Sequence, residues 1–171
     1  MRKIVLSLLV LLLFGFGFYH WFNLNALPED QKIDKLVVLK SEREMRAYAN
    51  GKLLKTYKIA LGTSPTGDKQ FEGDRKTPEG IYTINDKNPN SAYHKNLGIS
   101  YPNLQDIAEA KTLGKPTGGD IKIHGMRNGH SYLGFFHRFY DWTHGCIAVT
   151  DAEMDELYAH TPIGTPIEIR P

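Results

Sequence analysis

The sequence predicts a mainly β domain, a sandwich or barrel with a few short helices, preceded by one apolar amino-terminal helix. Short runs alternating apolar and polar residues recur along the chain, with turn residues between them. Helical spacing shows in only two windows of that region. The dipeptide Asn50-Gly51 falls between two alternating runs, and it signals a hairpin because both turn positions need positive φ.

Leu36-Val37-Val38-Leu39 is a short apolar strand. Met45, Ala47 and Ala49 then alternate with Arg46, Tyr48 and Asn50, and a further run carries Leu53 to Leu61. Pro78 and Gly80 announce a strand at Ile81-Tyr82-Thr83-Ile84. Leu104 to Leu113 has helical spacing with Asn103 as its cap. Ile121-Lys122-Ile123 alternates again and ends on His124. Thr150 and Glu153 form a capping box for a helix through Met154, Leu157 and Tyr158, which Thr161-Pro162 ends. Ile167-Glu168-Ile169 closes the chain as a strand.

The first residues have a different character. Met1-Arg2-Lys3 precedes an apolar run from Ile4 to Phe22, close to the roughly 20 residues that span a bilayer as a helix. Tyr19, Trp21 and Phe22 look like an interfacial aromatic belt, and no small-x-small cleavage site follows. An uncleaved signal anchor is therefore expected over residues 1–22, ahead of a cleaved signal peptide. The positive-inside bias puts Arg2 and Lys3 in the cytoplasm and the remainder outside. Residues 23–33, with Pro28, Glu29, Asp30 and Lys32, read as a polar tether, and residues 34–171 as one domain. A formal charge of +2, with dispersed lysines, argues against a nucleic-acid partner.

Cys146 is the only cysteine, so it can make no internal disulfide. As an isolated residue it could equally be a small buried apolar group. Its neighbours favour a nucleophile. It follows Thr143-His144-Gly145, and His124-Gly125 lies upstream at a strand end, where an imidazole could face a cleft.

His124, a gap of eighteen residues, and then Thr143-His144-Gly145-Cys146 resemble the signature of the L,D-transpeptidases, the YkuD-type catalytic domain. Gly73-Asp74-Arg75-Lys76-Thr77-Pro78-Glu79-Gly80 is a second family-like stretch, and the similarity covers roughly residues 34–170. The gap is at the long end for the family, which implies a longer loop, and Ala148 stands where an arginine is common.

The resemblance implies a YkuD-type β-sandwich acting on peptidoglycan stem peptides, and the anchor read from residues 4–22 then places it in the periplasm at the inner membrane. It also implies Cys146 as nucleophile, His124 as base, the Gly125 carbonyl orienting the ring, and the Gly145 and Cys146 N–H groups as oxyanion donors. His144, Thr143 and Arg127 are candidates to contact substrate, and Lys122 and Arg138 could also receive its carboxylate. No cofactor or metal is implied. His124, His130, His137, His144 and Cys146 are a dense set of possible zinc ligands, but their spacings match no standard ligand pair. Between Met126 and Trp142 the aromatics are expected to pack the loop onto the domain, with His130 and His137 exposed; the alternative is that part of this loop forms a wall of the peptide-binding cleft.

Three functions are then open. The chain could pass an acyl group to an amine, or to water as an L,D-carboxypeptidase or amidase, an option that Ala148 keeps open. It could also be an inactive peptidoglycan-binding module.

Overall fold

The computed structural model describes Gly15 and residues 26–171. The expected anchor over residues 4–22 lies, Gly15 apart, outside the described residues. Among those described, no helix is long and apolar enough to cross a membrane.

Eight strands form the domain: β1 (Lys35–Leu39), β2 (Glu44–Ala49), β3 (Lys52–Lys58), β4 (Gly80–Ser91), β5 (His94–Ile99), β6 (Lys122–His124), β7 (Ile147–Ala148) and β8 (Pro166–Arg170). They join one sheet in the order β3-β2-β1-β8-β4-β5-β6-β7. The pairs β1–β8 and β6–β7 are parallel and the others antiparallel. The chain leaving β3 crosses to the opposite edge, where Ala60 bridges Ala148 and Gly62 bridges Thr143. The expected sandwich is thus a single sheet curled into a half-barrel, because the two edges are drawn together by one continuous segment. Inside the curl, Val38, Met45, Tyr57, Ile84, Ile123 and Ile147 are buried.

Local chemistry accounts for the framework. Met45, Ala47 and Ala49 face the core at every second position of β2, the period a half-buried strand requires. Asn50 and Gly51 form the two-residue β2–β3 turn with φ of 52° and 74°. Helix α1 (Leu104–Thr112) starts at a capping box between Asn103 and Asp106, and the Tyr82 hydroxyl ties its first turn to β4 through Asp106 (3.1 Å). Helix α2 (Asp151–His160) starts at the Thr150–Glu153 capping box. Residues 27–33 do not hang free as a tether. Ile33 is buried, and the Leu27 N–H donates to Glu156 Oε1 (2.8 Å), since docking these apolar side chains removes them from water.

The half of β4 beyond Ile84 leaves β8 behind and runs on with β5 as an arm, backed by β6 at residues 96–98 and two-stranded only toward Ser91 and His94. This arm has no counterpart in the sequence reading. Its residues 85–91 are almost all polar and lack the alternation that marks a strand with one buried face.

Candidate active site

Strand β6 lies between β5 and β7, so His124 is held on both sides, opposite Asn96 and Ala148. Strand β7 starts directly after Cys146 and pairs in parallel with β6. Two short strands therefore bring the distant cysteine and histidine to the same cleft, of about 410 Å³, which both line. Thr143, His144 and Lys122 also line it, and the polar arm contributes Asn88, Asn90 and Ser91.

His124 is buried, and its Nδ1 lies 2.7 Å from the Gly125 carbonyl oxygen. A carbonyl only accepts, so Nδ1 carries the proton and Nε2 of the neutral ring is left with a lone pair. Tyr93 and Trp142 flank the imidazole, with ring centroids 4.7 and 5.5 Å away. Burial pushes the His124 ring below its ordinary pKa, the Gly125 carbonyl opposes this, and the Lys122 charge adds to it. Burial pushes the Cys146 thiol up, against the Lys122 backbone. Both directions favour the uncharged forms, a thiol and a neutral imidazole. At rest the thiol donates to the Asp120 carbonyl (3.6 Å).

The turn before Cys146 is pinned from three sides. Asp141 accepts from Arg43 Nη2 (2.8 Å) and the Leu61 N–H (2.8 Å). Thr143 exchanges main-chain hydrogen bonds with Leu61 and Thr63. Buried Thr143 Oγ1 donates to the Cys146 carbonyl (2.7 Å) and accepts from the Gly145 N–H (3.1 Å). The expected oxyanion donors are thereby unequal: the Gly145 N–H is already engaged, which leaves the Cys146 N–H as the stronger candidate.

The family-like stretch upstream backs this turn. The Asp74 carboxylate accepts from Lys69 Nζ and from the N–H groups of Gln70, Phe71 and Lys76. Burial works against its charge, but Lys69 and the backbone donors outweigh it and hold the Asp74 carboxyl below its usual range. This knot sets the Lys76 carbonyl against Gly145.

Other candidates fall outside the cleft. Arg127 is exposed and does not line it, while Lys122 does. Arg138 pairs with Glu153 (2.6 Å). In the 3-10 segment Ser131–Phe139 the expected pattern is inverted: Tyr132 and Phe139 are 78% and 75% exposed and His137 only 1%. Gly134, with φ of 47°, kinks the segment and divides the helical spacing that would have kept its aromatics on one inward face. His130 is exposed. No group of three or more His, Cys, Asp or Glu among the described residues could hold a metal ion.

A curled half-barrel with a histidine ending one short strand and a cysteine just ahead of the next defines a class, and the chain belongs to it. Residues 34–169 match the L,D-transpeptidase catalytic domain (YkuD) family. Among relatives, the chain is similar to YafK of Escherichia coli (strain K12), provisionally named an L,D-transpeptidase, with 31% identity over 128 residues. That match covers 71% of this chain and 44% of YafK, so the chain spans under half the length of this curated relative. Among solved structures it is similar to the helical cell shape determining protein Pgp2 from Campylobacter jejuni, at 30% identity and a TM-score of 0.60, covering 82% of this chain and 48% of Pgp2. Bd1075 of Bdellovibrio bacteriovorus follows at 25% identity and a TM-score of 0.56, covering 85% of this chain and 50% of that one. An L,D-transpeptidase from Xylanimonas cellulosilytica shares the fold at 16% identity and a TM-score of 0.54, with 84% of this chain and 63% of that one covered.

Proposed function

We propose that the chain is a periplasmic L,D-transpeptidase of peptidoglycan that works through an acyl-enzyme on Cys146. His124 Nε2 takes the thiol proton as the sulfur attacks the carbonyl of the third stem residue. The new C–S bond replaces the C–N bond to the following residue, which leaves as an amine with that proton. An acceptor amine then attacks the thioester, yields its proton to His124 and frees the sulfur. The Cys146 N–H, with Gly145 beside it, faces the developing oxyanion, where one donor is worth about 3 kcal/mol in barrier. Thr143 holds the turn, and His144, exposed at the rim of the cleft, meets substrate.

The observation that carries this reading is the tautomer of His124. The Gly125 carbonyl occupies Nδ1 and so leaves Nε2 basic in the cleft that holds the thiol. A hydrolase would use the same residues with water as acceptor. Ala148, the residue that keeps this option open, is buried, bonds to Ala60 through both main-chain groups and does not line the cleft. An inactive wall-binding module has still less to support it, since thiol, imidazole and turn are all in place.

Mass spectrometry of peptidoglycan fragments incubated with the protein, with and without an added amine, separates these readings. Amine-exchanged or cross-linked stems are the expected products. Shortened stems alone would indicate a hydrolase, and bound but unaltered fragments a binding module. The anchor over residues 4–22 belongs to the same proposal, on sequence grounds.

A further inference from the structure

The carbonyl that orients His124 belongs to the peptide joining Gly125 to Met126, and the other end of that peptide is also held. The Met126 N–H donates to Asp151 Oδ1 at 2.7 Å, the same length as the bond from His124 Nδ1 to the Gly125 oxygen. We propose that Asp151 is a positioning residue for His124, a carboxylate that acts on the imidazole through one intervening peptide group. This rests on the reading of His124 as the base.

The physical argument is polarisation. A peptide whose N–H donates to an anion has more negative charge on its carbonyl oxygen, so that oxygen becomes a better acceptor for the ring N–H, and more so once the ring is cationic. In the familiar cysteine and serine triads a side-chain acceptor touches the ring directly. Here the same charge is delivered one peptide further back. Asp151 is the first residue of α2, where the helix N-terminus favours a negative charge. The geometry leaves room only for this arrangement, since a Cβ on Gly125 would stand 2.6 Å from Asp151 Oδ1 and 3.0 Å from His94 Cβ. Gly125 is thus the one residue type that lets the carboxylate reach the peptide. Its own N–H, which belongs to the preceding peptide, is anchored by the Tyr93 and Lys95 carbonyls and so fixes the chain where it enters Gly125.

The other charged or titratable groups around His124 are Lys122 on its own strand, Tyr93 from the β4–β5 turn, Cys146 ahead of β7, and His137 from the 3-10 segment. None of these residues is replaced in Asp151→Asn, which keeps an oxygen acceptor for the Met126 N–H and removes the charge; of the groups named, His137 also feels that charge, so its ring is followed separately in the titration.

The test is an NMR titration of the His124 ring in the full chain, together with the rate at which iodoacetamide alkylates Cys146, the sole thiol. In Asp151→Asn the His124 midpoint should move to lower pH and the Nδ1–H tautomer persist. Alkylation near neutral pH should slow by about 10- to 100-fold, the range known for loss of the outer partner of a metal-bound histidine. Asp155→Asn, on the same helix but paired with His94 and Lys95, should change neither. In the native chain the Met126 amide and His124 Nδ1 protons should both resonate downfield, a measurement that stands even if the variant fails to fold. An unmoved midpoint in folded Asp151→Asn, or an ordinary Met126 amide shift, would overturn the proposal. Neither readout uses a stem peptide, so failure to process peptidoglycan would count against the enzyme reading alone.

Discussion

A Cβ placed on Gly145 would stand 2.6 Å from the carbonyl oxygen of Lys76. The same glycine has φ of 126°, a conformation that strains any other residue. Gly145→Ala therefore has to push the nucleophile turn off the Asp74 knot. A displacement near 1 Å at a reacting group can cost about a hundredfold in rate. The variant should fold, bind stem peptide and lose about two orders of magnitude in kcat, read by single-turnover acylation. Native turnover in Gly145→Ala would show that the turn tolerates movement.

Cys146→Ala should lose turnover by about a millionfold and form no covalent adduct in intact-mass spectra, while its unfolding midpoint stays near the native one. Stem processing by this variant at near the native rate would refute the mechanism.

The two histidines nearest the thiol should differ. His124 is buried with Nδ1 committed to a carbonyl, whereas His144 is exposed at the rim. His124→Ala should approach the cysteine variant in its loss of acylation, and His144→Ala should affect KM more than kcat. Rates in the reverse order would exchange their roles.

His137 is expected to make the domain acid-labile. Burial, helped by the Arg138 charge and opposed by Glu153, holds its ring at about 4 against an ordinary 6.5. Between those values the unfolded chain takes up a proton that the folded chain refuses, so stability falls as pH drops through that window and levels off below it. The full effect is about 3 kcal/mol. Among the described residues neither ring nitrogen has a partner, so His137→Phe removes no hydrogen bond there. Urea midpoints measured at pH 7 and pH 4.5 should differ less in His137→Phe than in the native chain. An equal difference in both would place the acid sensitivity elsewhere.

The full chain should fractionate with the inner membrane at its unprocessed mass and resist extraction by high salt. Salt screens surface charge but does not release a helix buried in hydrocarbon. A soluble species lacking about its first 26 residues would show the segment to be a cleaved signal.

Several features were legible from residues alone because their causes are local. Asn50-Gly51 makes a turn wherever it occurs between alternating runs, and the Thr150–Glu153 box caps a helix through atoms three residues apart. The β2 alternation reports its buried face directly. Cys146 and His124 stood out by residue type, spacing and family likeness. Tertiary structure decided the rest, where the cause lies far along the chain. Residues 85–91 of β4 carry no hydrophobic period because neither of their faces is buried in the core, yet Asn88, Asn90 and Ser91 form one wall of the cleft. His137 and the aromatics around it exchanged their expected places, since a kink at Gly134 and the Arg138–Glu153 pair set which side of that segment turns inward. Curling of the sheet follows from the Ala60–Ala148 bridge across 88 residues, and the approach of Asp151 to the Gly125–Met126 peptide follows from where α2 begins. Such contacts depend on closing long loops around a shared core, and no window of sequence contains both partners.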